Sequence, residues 1–95
     1  MTAMETLARS RALWNRERFD LGSDEILAQL LDRGSLEDWR ALYSLARSDA
    51  ALRTRIVALV RTVPMYLPHF WLAAMESLGA SVDHDAVARD DGMGP

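Results

Sequence analysis

The chain has 95 residues and 49% apolar composition with no cysteine, which suits one small globular domain and excludes a disulfide framework, a thiolate metal site and thiol chemistry. Ala and Leu supply fourteen positions each, against eleven for Val, Ile and Thr together, a balance that favours helix over sheet. The net charge of −3 is unevenly placed: residues 1–61 carry ten Arg against nine acids, whereas residues 62–95 set Arg89 against Glu76, Asp83, Asp85, Asp90 and Asp91. Every basic residue is Arg, and no strong basic field of the kind that drives autonomous DNA binding is present.

The expected fold is all-α, a compact single-domain bundle of about five short helices with a flexible acidic C-terminal tail. Residues 4 to about 19 read as a first helix, in which Met4, Leu7, Trp14 and Arg18 recur at near-helical spacing and Glu5 stands four before Arg9 as an ion pair. Asp20-Leu21-Gly22 breaks it. Ser23 then caps a helix over 24–33, with Asp24 and Glu25 in the first turn, an apolar side of Ile26, Leu27, Leu30 and Leu31, and Gly34 as the expected C′ residue. Ser35 to Asp38 has the form of a capping box with Asp at N3, opening a helix over 36–47 whose Leu36, Trp39, Leu42, Tyr43 and Ala46 are expected inward.

Ser48-Asp49 ends that helix and starts one over 50–62, where Leu52, Ile56, Leu59, Val60 and Val63 keep the core rhythm and Asp49 stands four before Arg53. Pro64 and Pro68 bracket a non-helical elbow, and Pro68 serves as first-turn proline of a last helix to Leu78, stopped by Gly79. Residues 1–79 form the expected bundle and 80–95 an acidic, mobile tail. The apolar runs are far shorter than a membrane span and residues 1–10 lack a signal-peptide core, so a cytoplasmic location without membrane association is expected.

No triad, phosphate-cradling glycine loop or HExxH pattern occurs, and most carboxylates have a capping or solvated role, so no catalytic, cofactor or metal residue is assigned and the chain is read as a non-enzyme. The candidate contact residues for a protein partner are Arg11, Trp14 and Arg18, spaced i, i+3, i+7 on the first helix, together with Met65, Tyr66, His69 and Trp71 around the elbow. Phe70 and Trp71 are adjacent, so both rings cannot face the same way. The alternative is a helix-turn-helix-like DNA-binding regulator using Arg53, Arg55 and Arg61.

Three stretches carry a family resemblance: Arg16-Glu17-Arg18-Phe19-Asp20, Leu30 through Tyr43 with its Gly34-x-x-Glu37-Asp38-Trp39 element, and Pro64 through Leu78 with Pro68-His69-Phe70-Trp71. Over roughly residues 16–79 the chain resembles small helical antitoxin components encoded beside toxins of the abortive-infection nucleotidyltransferase class. The resemblance implies a cytoplasmic, non-enzymatic protein that occludes a toxin able to transfer nucleotides, with DNA contact for autoregulation and a homo-oligomer both compatible. No catalytic residue carries over. The N-terminal fifteen residues and the acidic tail fall outside the resemblance; against a basic toxin site Asp83, Asp85, Asp90 and Asp91 would stand in for phosphate, the alternative being that the Pro64 to Trp71 elbow and the first helix make the main apolar contact.

Overall fold

The computed structural model describes residues 2–13 and 19–88. Among these there are five helices and no strand: α1 (Ala3–Ala8), α2 (Asp24–Arg33), α3 (Leu36–Arg47), α4 (Ala50–Thr62) and α5 (Pro68–Ser77). No helix is long and apolar enough to cross a membrane among the described residues. The helix starts follow from local side chains. Ser23 accepts from Ile26 N–H, Asp49 from Leu52 N–H and Ser35 from Asp38 N–H, and Pro68 occupies the first turn of α5. Each cap satisfies a backbone donor that has no partner inside its own helix.

Helix α1 is much shorter than the periodicity predicts. It ends at Ala8, capped at its start by Thr2, which accepts from Glu5 N–H. The reason lies two residues on: Ser10 is 4% exposed, its hydroxyl accepts from Ala12 N–H at 3.1 Å and donates to Asp38 Oδ2 at 2.5 Å. A serine that turns its side chain onto the backbone two residues ahead offers the chain a turn in place of another helical turn. Arg9 therefore lies past the helix end, and Glu5 takes the Thr2 hydroxyl at 3.2 Å instead of an Arg9 partner. The i, i+3, i+7 patch expected for Arg11, Trp14 and Arg18 loses its helical basis at Arg11, and Trp14 and Arg18 lie outside the described residues.

The core is formed by Leu7, Leu27, Leu30, Leu31, Leu42, Ile56, Val60, Trp71, Leu72 and Met75, all essentially closed to solvent. Helix α1 packs on α3, α4 on α5, and α2 against both α3 and α4. At roughly 25 cal/mol per Å² of buried apolar area, burial of this set is the main favourable term for so short a chain. The α2–α3 corner is the tightest connection. Gly34 has φ −68° and ψ 156°, so it does not act as a left-handed cap. It is glycine because a Cβ there would collide with Leu30 O and press on Asp38 Cβ and Trp39 Cδ1, both at 3.1 Å. The left-handed residue is Gly79, at φ 99°, where α5 ends.

Beyond α5 the chain has no regular secondary structure up to residue 88, yet it rests on the bundle. Ala80, Val82 and Val87 pack against the core, and Ala88 N–H donates to Val60 O at 2.9 Å. His84 Nε2 lies 3.2 Å from Glu76 Oε1, with both side chains about half exposed. Residues 89–95, including Asp90 and Asp91, lie outside the described residues.

Asp38 is 4% exposed, and its Oδ2 accepts from both Ser35 N–H at 2.9 Å and the Ser10 hydroxyl. Replacing it by Ala removes half of the capping box and the acceptor of the buried Ser10 hydroxyl, a loss of about 3 kcal/mol in urea denaturation. Its neighbour Glu37 is exposed, and Glu37→Ala should stay within about 0.5 kcal/mol of the parent.

Candidate functional site

Three aromatic rings from α3 and α5 form the most distinctive surface. Phe70 stacks on Trp39 with centroids 5.2 Å apart and planes at 26°, while Trp71 meets both edge-on, 5.4 Å from Trp39 and 5.2 Å from Phe70. These are favoured aromatic geometries. The two indoles are fixed by hydrogen bonds to the end of α2. Trp39 Nε1–H donates to Leu30 O at 2.9 Å and Trp71 Nε1–H to Leu31 O at 3.2 Å. Both acceptors lie in the last turn of α2, where Leu30 O also accepts from the Gly34 N–H at 3.0 Å.

That double capping decides which aromatic faces water. Trp71 is 1% exposed and Phe70 46%. The rings at 70 and 71 both meet Trp39 but differ in exposure, and Trp71 is not presented to a partner, because its indole is consumed in the core. Met65 is likewise packed against the core rather than presented outward. Tyr66 and His69 are exposed, Tyr66 at 75%, and the Tyr66 N–H is anchored to Asp32 Oδ1 at 2.7 Å.

Between α3 and α5 lies a small hollow of about 230 Å³ lined by Leu36, Trp39, Arg40, Tyr43, Phe70 and Trp71. Leu36 at its rim is 63% exposed, against the expectation that it points inward. As the first residue of α3 it precedes the turn that faces the core, and the contact role passes to Trp39. Tyr43 is held across the hollow. Its hydroxyl lies 3.0 Å from Ser77 Oγ, and because Ser77 Oγ donates to Ala74 O at 2.6 Å, Tyr43 is the donor. Arg40, exposed, is the single charged group on this wall among the described residues. The spacing of Leu36, Trp39 and Tyr43 is an i, i+3, i+7 stripe, which is the sequence signal for this apolar face of α3.

The arginines proposed for DNA have other occupations. Arg53 Nη1–H donates to Ala46 O at 2.7 Å and Arg47 O at 3.2 Å, closing the C-terminal end of α3. Its expected partner Asp49 instead caps α4. Arg55 pairs with Asp24 Oδ1 at 2.9 Å and donates to Leu21 O at 2.9 Å. Arg61 is exposed. Two of the three guanidinium groups are thus spent on intramolecular acceptors and are not presented as a stripe.

Searches among known proteins returned no matching family model, no matching curated protein and no matching solved structure.

Loss of the Trp71 indole donor should be visible directly. Trp71→Phe leaves the Leu31 carbonyl unpaired and underfills the core, costing about 2–3 kcal/mol in urea denaturation, whereas Tyr66→Ala should fall within about 0.5 kcal/mol.

Proposed function

We propose that this chain is a protein-binding module that acts by occupancy, without chemistry of its own, and that its partner is a nucleotidyltransferase-like toxin, as the resemblance of residues 16–79 implies. The observation that carries the binding reading is the exposure of Leu36 and Phe70 over an already formed apolar hollow. Exposed aromatics beside a pocket and an exposed Arg are the usual composition of a binding hot spot. The occupant is an apolar side chain from a partner segment with a neighbouring carboxylate, which Arg40 would receive as a bidentate pair.

The non-catalytic part of the reading is supported by how the carboxylates are used. Asp38 and Asp49 cap helices, Asp24 pairs with Arg55, and Asp32 accepts from the elbow backbone. Each is committed to holding the fold, which leaves it poorly placed for proton transfer.

The test is co-expression of the tagged chain with the open reading frames on either side of it, followed by a moderate-salt wash and identification of what remains bound. A neighbour retained in fixed stoichiometry, whose growth inhibition the chain relieves, is the expected result. Phe70→Asp should then weaken the complex by about 2 kcal/mol, roughly thirtyfold, while leaving the helical spectrum intact. No retained neighbour, together with a salt-sensitive shift of promoter DNA, would overturn the proposal in favour of a regulator.

A further inference from the structure

A different surface carries an inference that does not depend on the partner proposed above. Between the exit of α1 and the α2–α3 corner is a hollow of about 490 Å³, within the size range of small-molecule sites. Arg9, Arg11 and Arg33 line it, with Ser35, Glu37 and Asp38 from the start of α3. A neighbouring hollow shares Arg11 and Arg33, so the two form one trough. In a chain of net charge −3, this is where positive charge converges.

The three guanidinium groups are exposed, and among the described residues none takes part in an ion pair or a side-chain hydrogen bond. That distinguishes them from Arg53 and Arg55, whose donors are engaged within the fold. Of the two carboxylates on the wall, Asp38 is buried and its Oδ2 is turned to Ser10 and Ser35. Glu37 is exposed. Three like charges around one hollow repel each other, and an anion seated among them relieves that repulsion. The Ser10–Asp38 bond holds the segment bearing Arg9 and Arg11 against the corner bearing Arg33, so the three are gathered before a ligand arrives.

We propose that this trough binds the phosphate group of a small molecule. A single carboxylate is matched by one guanidinium fork, whereas a phosphate offers at least three acceptor oxygens and a second charge, which three separate forks can divide among themselves. A diphosphate spans the trough better than a single phosphate, because the shared Arg11 and Arg33 extend the charged wall into the neighbouring hollow.

The experiment is a titration of the intact chain with inorganic pyrophosphate at low ionic strength, followed by backbone and arginine side-chain NMR. Saturable shifts at Ser10 to Ala12 and at Arg33 to Ser35 are expected. Arg11→Gln and Arg33→Gln should each weaken pyrophosphate about tenfold, with an unchanged urea midpoint, while the charge-matched Arg61→Gln leaves binding as it was. Adenosine diphosphate in a parallel arm separates free phosphate from a nucleotide as the source, and saturable binding of either at these residues supports the site. Absent or non-saturating shifts, equal weakening by Arg61→Gln, or citrate binding as tightly as pyrophosphate at the same residues would overturn it.

Discussion

The structure depends on one buried carboxylate. Asp38 Oδ2 receives the Ser35 N–H, which starts α3, and the Ser10 hydroxyl, which brings the end of the N-terminal segment onto that helix. Ser35 answers through its own hydroxyl, accepting from Asp38 N–H, so the capping box is reciprocal. A carboxylate closed off from water is tolerated because each of these donors compensates part of its lost hydration. Gly34 makes the arrangement possible, since any larger residue would push the α2–α3 corner away from Asp38 and Trp39. The short α1 is a consequence of the same bond, because Ser10 leaves the helical path to reach Asp38.

From that corner the geometry propagates to the aromatic cluster. Trp39 follows Asp38 directly and closes over Leu30 O, while Trp71 reaches Leu31 O from α5. The end of α2 is thus capped by two indoles from two other helices. With both tryptophans held by hydrogen bonds as well as packing, Phe70 has one face for Trp39 and the other for solvent. The apolar hollow is therefore a by-product of how α2 ends. Preformed walls of this kind bind with less ordering entropy than a flexible surface would, which is why the groove suits an occupying role.

Helix α3 divides two chemically opposite surfaces. Leu36, Trp39, Arg40 and Tyr43 line the aromatic hollow, and Glu37 and Asp38 border the arginine trough. Successive residues on a helix diverge by about 100°, so the apolar and charged surfaces share one turn without overlapping. An apolar contact and a phosphate contact at adjacent faces of the same short helix have a common dependence on the Asp38 corner. A change there alters both.

The sequence by itself determined the helix starts and the span of four of the five helices. Ser23, Ser35 and Asp49 act on N–H groups three residues away and Pro68 acts on its own turn, so the information is local and survives without knowledge of the fold. Tertiary structure added long-range partners for the carbonyls at the helix ends. Leu30 O and Leu31 O are met by Trp39 and Trp71, Ala46 O by Arg53, and Val60 O by Ala88 N–H, partners drawn from 7 to 40 residues along the chain. The same distinction explains the candidate residues. An arginine or tryptophan in the sequence reads as a contact residue because both types are enriched in binding sites, yet Arg53, Arg55 and Trp71 are donors to distant backbone or side-chain acceptors. Leu36 reads as a core residue from periodicity, and the adjacency of Phe70 and Trp71 does not say which ring is presented; only the packing of the helices leaves Leu36 and Phe70 exposed. Local hydrogen bonds are written in the order of residues, whereas the choice between a buried and a presented side chain belongs to which helices meet.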